Sequence, residues 1–293
     1  MPLVTGIQKG STAFFLAEFD PATVWKVIER ERITTSMLVP AMLVALLAAK
    51  EGNAGDASSL CYLSCGASAV PPALIEAWWA HGVQIHQVYG LTEVTGSLSY
   101  WKRSMGAEKA RSQGRPVFLS RVRIVDPATG TTVPANMPGE VMCRGATVFA
   151  GYWNDCVATQ SAMRDGWFAT GDIGYFDEDG FLYLVDRLKD LIISGGENVY
   201  PAELETVIAA LDGVAEVAVV GRADARWGEV PVAFVVGQQH AELSEESVLE
   251  VCRTNLARFK HPRGVIFLDA LPRNGLGKIT RPALRQMLSN VPS

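Results

Sequence analysis

A strand–helix–strand pattern between residues 60 and 93 constrains the fold of this 293-residue chain more than any other feature. The apolar run Leu60–Ser64 predicts a buried strand, and the prolines at 71 and 72 open a helix predicted to end near His81. Val83–Val88 predicts the next strand, so the spacing indicates a βαβ unit with parallel strands. That strand runs directly into YGLTE, Tyr89–Glu93, which is therefore expected at the carboxyl edge of the sheet, where open α/β sheets bind ligands.

The remaining sequence predicts two further regions. From Val117 to Val185, short β-rich runs alternate with Gly, Pro, Asn and Asp turns, which is typical of a small antiparallel sheet or barrel. From Leu188 onward, helical and strand patterns alternate, and they predict a compact α+β domain of about one hundred residues. The predicted fold class is an α/β large domain with a βαβ sheet and a small antiparallel β subdomain, followed by that α+β domain. The predicted domains are residues 1–188 and 189–293.

Composition excludes several classes of protein. Hydrophobic residues make up 48% and charged residues 19%, so a core can be buried and global disorder is not expected. The net charge is −5 without a basic run, which gives no indication of nucleic-acid binding. The longest apolar run, residues 37–49, is too short to cross a bilayer, and the N-terminus lacks a signal-peptide pattern. Five scattered cysteines fit a reducing compartment, so a cytoplasmic location is expected.

Four short sequences follow one another in order along the chain. They are YGLTE at Tyr89–Glu93, ATGD at Ala169–Asp172, DRLKDLIISGGENVYPAELE at Asp186–Glu205 and LPRNGLGKITR at Leu271–Arg281. In this order they resemble the core motifs of the adenylate-forming acyl-CoA synthetase superfamily, the AMP-dependent synthetases and ligases. That family activates carboxylic acids with ATP and usually passes the acyl group to coenzyme A. Its Ser/Thr/Gly-rich loop with a lysine is not found before these motifs, so the large domain is expected to be partial.

The resemblance assigns nucleotide and metal contacts to the YGLTE turn. It implies that Tyr89 packs against adenine, that Thr92 contacts phosphate and that Glu93 binds the Mg²⁺ that bridges phosphate oxygens. Gly90 belongs to the same nucleotide-binding turn. Mg²⁺ prefers hard oxygen ligands and often uses one carboxylate together with substrate phosphates, which agrees with the assignment to Glu93. A generic glycine turn with a surface acid is the alternative.

Two more segments are assigned to the nucleotide in the same way. In the family, a small-residue turn at the position of Gly66, Ala67 and Ser68 lets the backbone approach adenine, and small residues permit such an approach. Asp172 resembles the acid that accepts hydrogen bonds from the ribose hydroxyls, and a carboxylate offers two oxygens to a vicinal diol. Arg187 resembles the arginine that contacts ribose and phosphate. Ordinary turns and a capping aspartate are the alternatives.

The resemblance also implies a mobile C-terminal domain. Lys189 falls at the hinge between the two domains of the family. Gly195, Gly196 and Glu197 lie in a Gly-rich loop, SGGEN, beside which the pantetheine arm of coenzyme A passes. Lys278 resembles the lysine that a flexible loop brings to the adenylation site, where a point charge on a flexible stem can bridge the carboxylate and the α-phosphate. The expected catalytic residues are Lys278, Thr92 and Glu93, although a solvated surface lysine is the alternative for Lys278.

The expected reaction converts a carboxylic acid and ATP into an acyl-adenylate, followed by thiolysis with coenzyme A. ATP, Mg²⁺ and coenzyme A are the expected cofactors and small-molecule partners, with aliphatic and aromatic acids both open. Two alternatives remain open: an adenylation domain that loads a carrier protein, and a truncated fragment that binds a nucleotide or a partner without catalysis. An open sheet edge also predicts self-association.

Overall fold

The computed structural model describes residues 2–52, 55–68, 70–274 and 278–289, without the side chains of residues 2, 3, 51 and 289. The chain divides into two compact units, residues 1–170 with 174–184 and residues 171–173 with 185–293. The helices of the described residues are α1 (Pro2–Lys9), α2 (Pro21–Glu31), α3 (Pro40–Glu51), α4 (Pro72–Ala80), α5 (Cys156–Ala162), α6 (Pro201–Ala209), α7 (Glu245–Asn255) and α8 (Arg281–Ser289). None of them is long and apolar enough to span a bilayer.

The strands of the described residues form three sheets. In chain order they are β1 (Thr35–Leu38), β2 (Tyr62–Cys65), β3 (Gln84–Tyr89), β4 (Ser99–Trp101), β5 (Arg115–Pro116), β6 (Ser120–Val125), β7 (Gly139–Gly145), β8 (Met163–Arg164), β9 (Trp167–Phe176), β10 (Leu182–Arg187), β11 (Ile192–Ser194), β12 (Glu197–Val199), β13 (Val214–Asp224), β14 (Gly228–Gly237) and β15 (Val265–Phe267).

The first sheet has the order β1-β2-β3-β4-β5. Its pairs β1–β2 and β2–β3 are parallel, and α4 connects β2 to β3. The predicted βαβ unit is therefore confirmed. Strands β4 and β5 extend the sheet in antiparallel pairing, so β3 lies inside the sheet with a neighbour on each side.

Helices α2, α3 and α4 share one apolar core. Asp20 caps α2, since its carboxylate accepts the Thr23 N–H at 2.7 Å, and proline occupies the first helical turn. Trp25 of α2 is buried, and its indole N–H donates to the Leu46 carbonyl of α3 at 3.0 Å. The same ring stacks on Trp78 of α4 with a centroid distance of 6.1 Å. One indole therefore joins three helices and satisfies its buried polar group.

The second sheet follows the order β10-β9-β7-β6, with β8 paired to β9. The predicted antiparallel sheet is thus present as an open sheet rather than a barrel, with β6 and β7 antiparallel over six residue pairs. Strand β9 has no counterpart in the sequence-based prediction, because Gly171 and Gly174 interrupt its pattern. Gly174 permits close packing, since a Cβ there would lie 2.5 Å from the Tyr183 carbonyl oxygen.

The third sheet belongs to the second unit and has the order β12-β11-β14-β13, with β15 parallel to β14. The buried side chains of α6 and α7 pack in one core cluster of this unit, and those of α8 pack in another. The predicted α+β architecture is confirmed. The SGGEN segment, however, is a hairpin rather than a loop, because β11 and β12 pair directly across Gly195 and Gly196. Both glycines have positive φ, 61° and 87°, as a two-residue type I′ turn requires.

We predict that Phe168→Ala lowers the free energy of unfolding of the first unit by about 3–5 kcal/mol, because it leaves a cavity in a packed core. Phe168 is buried and meets Phe149 edge-on at 5.4 Å. The measurement is the urea dependence of hydrogen exchange in β6 and β7. Phe118→Ala is the matched control, since Phe118 is 90% exposed in the same unit. Equal effects of the two variants would contradict the assigned core.

Candidate active site

The YGLTE turn follows β3 without an intervening loop. Tyr89 is the last residue of β3 and is only 7% exposed, so a narrow part of its ring is available to a ligand. Residues Thr92–Val94 form a single 3₁₀ turn in which the Thr92 side chain is exposed. At Gly90 the turn folds back tightly, since a Cβ there would lie 1.5 Å from the Gly96 carbonyl oxygen. Glycine is therefore required at this position by close backbone approach.

Glu93 is held by a segment that lies about sixty residues further along the chain. The Tyr152 hydroxyl donates to Glu93 Oε1 at 3.0 Å, and the Phe149 N–H donates to the Glu93 carbonyl at 2.8 Å. Phe149 and Tyr152 also meet edge-on, with ring centroids 4.9 Å apart. Partial burial and the neighbouring Glu93 carboxylate raise the pKa of Tyr152. Sequence analysis missed Tyr152, although the glycine–aromatic sequence Gly151–Trp153 was a signal.

The small-residue turn 66–68 lies beside β3. A Cβ at Gly66 would lie 2.9 Å from the Val88 carbonyl oxygen, so this position requires close contact between the two chain segments. Ala67 has a φ of 72°, in the left-handed region that residues with a Cβ rarely adopt. Ser68 is exposed. Within the first unit, the structure therefore brings together the predicted residues 66–68 and 89–93.

Gln87 is a second residue that sequence analysis missed. It lies on β3 and is buried, and its amide nitrogen donates to the Ser112 carbonyl at 3.2 Å. Its amide oxygen accepts the Val70 N–H at 3.4 Å, just beyond the small-residue turn. Gln87 alternates with Ile85 and Tyr89 on the buried face of β3, and a polar residue on that face was the signal, since buried polar groups need partners. The neighbouring His86 stacks on Tyr62 at 4.4 Å, and burial together with Lys102 lowers its pKa.

In the second unit, Asp172 and Arg187 form an ion pair. Arg187 Nε lies 2.7 Å from Asp172 Oδ1, and the side chains are 51% and 6% exposed respectively. A carboxylate this deeply buried is stable only when paired and hydrogen-bonded. The two residues predicted to contact ribose are thus side by side. Asp172 lies within β9 rather than in a turn.

The β11–β12 hairpin packs against Trp227. The Gly195 N–H donates to the Trp227 carbonyl at 2.7 Å, and a Cβ at Gly195 would lie 2.8 Å from the indole ring. Gly196 and Glu197 are exposed, with nothing within 4 Å of a Cβ built at Gly196. The hairpin tip therefore offers an exposed backbone next to an aromatic ring.

Two hydrogen bonds join Lys278 to Asn274. The Lys278 N–H donates to the Asn274 side-chain oxygen at 3.0 Å, and the Asn274 N–H donates to the Lys278 carbonyl at 2.9 Å. Residues 275–277, which include Gly277 of the predicted motif, lie outside the described residues. The Lys278 side chain is exposed and takes part in no ion pair within the described chain. These hydrogen bonds thus fix the backbone of Lys278, while its side chain is exposed to solvent.

Comparison with known proteins decides the family. The family model described as AMP-binding enzyme matches residues 1–153, and the AMP-binding enzyme C-terminal domain matches residues 203–278. The chain belongs to the AMP-binding enzyme family. The predicted membership in the adenylate-forming superfamily is confirmed.

Two proteins to which the chain is similar are named as CoA ligases. An indoleacetate–CoA ligase of Aromatoleum aromaticum is 41% identical over 97% of this chain and 55% of its own length. The long-chain-fatty-acid–CoA ligase FadD13 of Mycobacterium tuberculosis is 40% identical over 98% of this chain and 56% of its own length. The AMP-binding chain described here therefore spans about half the length of the curated relatives it matches.

Solved structures agree with the fold. The o-succinylbenzoate CoA synthetase of Bacillus subtilis, in complex with its acyl-adenylate intermediate, has a TM-score of 0.87 and 34% identity. It covers 99% of this chain, which covers 58% of that one. ATP-bound MatB of Rhodopseudomonas palustris has a TM-score of 0.88 and 33% identity, covering 98% of this chain and 57% of its own. The α/β fold class is confirmed by both.

We predict that Glu93→Gln lowers the pKa of Tyr152 toward its usual value. Removing the carboxylate charge makes the phenolate less unfavourable, while the contribution of burial remains. The measurement is an NMR titration of ¹³C-labelled tyrosine. Tyr183 is the internal control, because burial and Asp177 raise its pKa without Glu93. An unchanged pKa of Tyr152 in the variant would contradict the observed hydrogen bond.

Proposed function

We propose that the protein activates a carboxylic acid with ATP and then forms a thioester with coenzyme A. One observation carries this proposal: the turn with Thr92 and Glu93 follows the inner strand β3, beside the small-residue turn that follows β2. Ligands bind at such a carboxyl edge of an open α/β sheet. The printed names of the relatives, which are CoA ligases of indoleacetate, long-chain fatty acids and 2-succinylbenzoate, support the same reaction.

The proposed reaction has two steps, adenylation of the acid and thiolysis of the acyl-adenylate. A carboxylate oxygen attacks the α-phosphorus of ATP, the bond from that phosphorus to the bridging oxygen breaks, and pyrophosphate leaves. The thiol sulfur of coenzyme A then attacks the acyl carbonyl, AMP leaves, and the thiol proton is released. The protein must therefore orient the acid and neutralise crowded phosphate charge.

The residues of the YGLTE turn fit a Mg²⁺ ion. Glu93 is half-buried, and its Oε1 is held by Tyr152, while Oε2 accepts no hydrogen bond from the described residues. The exposed Thr92 hydroxyl is one residue away. Such hard oxygen groups suit Mg²⁺, which often combines one carboxylate with substrate phosphates. We assign Glu93 as the metal ligand and Thr92 as the phosphate contact. A bound Mg²⁺ ion would neutralise part of the negative charge of the phosphates.

The remaining nucleotide contacts follow from the two turns and the ion pair. We assign Tyr89, Gly90 and the turn 66–68 to the adenine. Small residues in these turns would let the backbone lie close to the adenine ring. Asp172 offers its carboxylate to the ribose hydroxyls, and Arg187 orients that carboxylate through the 2.7 Å contact. The proposed ribose contact therefore depends on the ion pair as well as on Asp172.

The second unit carries the groups that we assign to the two half-reactions. Lys278 stabilises charge at the carboxylate and α-phosphate during adenylation. The backbone of Gly195, Gly196 and Glu197 borders the pantetheine arm during thiolysis. Lys189 is the hinge of the exchange, with domains at residues 1–188 and 189–293. The exposed hairpin glycines and the exposed side chain of Lys278 support these assignments.

We also propose free coenzyme A as the acceptor, a cytoplasmic location and self-association. The acceptor follows from the named CoA ligases, and the location from five free cysteines. Self-association is supported by the edge strand β1, in which Met37 is 50% exposed. Val39, which directly follows this strand, is 36% exposed. The relatives act on both aromatic and aliphatic acids, so the substrate class is a carboxylic acid of either kind.

Pyrophosphate release by the purified chain tests this function. We expect Mg²⁺- and ATP-dependent release with at least one member of a panel of aliphatic and aromatic acids. Lys278→Ala lowers that rate by about 10²–10³-fold, because it removes an electrostatic contact to the transition state. Lys26→Ala is the matched control, since Lys26 is exposed on α2. A folded chain that binds ATP without acid-dependent release would instead support a non-catalytic nucleotide-binding fragment.

A further inference from the structure

Four charged side chains of the second unit form a connected network. Arg285 Nη2 lies 2.8 Å from Asp190 Oδ1, and Arg281 Nη2 lies 2.8 Å and 3.0 Å from the two carboxylate oxygens of Glu205. Arg281 Nη1 lies 3.8 Å from Asp190 Oδ2, which joins the two pairs. The network therefore connects α8, α6 and the segment after β10, which are up to 95 residues apart in sequence.

Three of these charges are largely withdrawn from water, whereas the side chain of Arg285 is 36% exposed. The side chain of Asp190 is 6% exposed, that of Glu205 20% and that of Arg281 23%. Burial raises the pKa of Glu205, and the Arg281 guanidinium opposes this shift. Glu205 also accepts the Val219 N–H of β13 at 2.8 Å. Because breaking a buried pair leaves an uncompensated charge, such a network resists rearrangement.

The network lies next to both residues that we assign to domain alternation. Asp190 directly follows Lys189, and Arg285 also donates to the Lys189 carbonyl at 3.4 Å. Arg281 comes three residues after Lys278 and begins α8. Arg281 and Arg285 are four residues apart on that helix and therefore share one face. They border a groove of about 110 Å³ together with Lys189 and Asp190.

The chain segments before and after residues 275–277 are joined to each other by hydrogen bonds. Arg273 and Ile279 pair as an isolated β-bridge, and the Thr280 N–H donates to the Pro272 carbonyl at 2.8 Å. The segment that begins at Lys278 thus leads directly into α8 at Arg281. A constraint on Arg281 is therefore passed to Lys278 through only two intervening residues.

We propose that Arg281 and Arg285 are positioning residues that clamp the segment 278–280 to the Lys189 segment through Asp190 and to α6 through Glu205. The lysine that serves adenylation and the segment that serves as the hinge then move as one body. This inference rests on the proposed function for its catalytic meaning, but the clamp itself is a property of the second unit.

Hydrogen exchange of the 293-residue chain tests the clamp without reference to activity. In Asp190→Asn we expect the amides of Asn274, Lys278 and Thr280 to exchange about tenfold faster, because one anchor of α8 is lost. The amides of β13 and β14 are expected to keep their rates. Arg253→Gln is the matched control, since among the described residues Arg253 forms its ion pairs within α7, with Glu246 and Glu250. Unchanged loop amides, or equal acceleration throughout the unit, would overturn the clamp.

The half-reactions test its catalytic consequence. We expect Arg285→Gln to lower kcat of acid-dependent pyrophosphate release about tenfold with an unchanged KM for ATP, because Lys278 is misplaced rather than removed. Thiolysis of a supplied acyl-adenylate is expected to stay within about twofold, and Arg285→Lys to recover part of the loss. Equal losses in both half-reactions would overturn a positioning role. If the unsubstituted chain releases no pyrophosphate, the proposed function fails for this chain, and the exchange experiment alone decides the clamp.

Discussion

The parallel pairing of β2 with β3 is the constraint on which the candidate nucleotide site depends. It aligns the carboxyl ends of the two strands, so the turn at Gly66 meets the Val88 carbonyl while Tyr89 leads into the YGLTE turn. At both turns the chain approaches itself so closely that a Cβ would collide, at 2.9 Å for Gly66 and 1.5 Å for Gly90. The two turns of the first unit are therefore shaped mainly by backbone packing, which needs glycine at fixed positions.

The second unit relies on paired charge instead. Asp172 is withdrawn from water and held by Arg187, and Asp190 is withdrawn and held by Arg285. A buried ion pair adds little stability compared with apolar residues, but breaking it is strongly unfavourable, so it fixes geometry. We infer that charge pairing in this unit serves orientation, of the carboxylate proposed to contact ribose in one case and of the segment 278–280 in the other.

Local sequence patterns were sufficient to predict the βαβ unit, the α+β unit and the family, because strand alternation, helix caps and motif order are local signals. Long-range contacts were not predictable in the same way. Tyr152 reaches Glu93 across 59 residues, and Arg285 reaches Asp190 across 95. Strand β9 was missed because its two glycines, Gly171 and Gly174, suggest turns. The β11–β12 hairpin was missed for the same reason, although Gly195 and Gly196 form only the tip between two short strands. The assigned roles of the site residues stay predictions.

Binding of AMP by calorimetry, in the presence of Mg²⁺, tests most directly the proposed assignment of Asp172, which Arg187 holds, to the ribose of the nucleotide. The account predicts saturable binding of one AMP per chain, weakened at least about tenfold in Asp172→Asn, because the charged acceptor for the ribose hydroxyls is lost. Circular dichroism of the variant establishes that it is folded. Absence of AMP binding by the folded chain, or equal affinity in Asp172→Asn, would contradict the account.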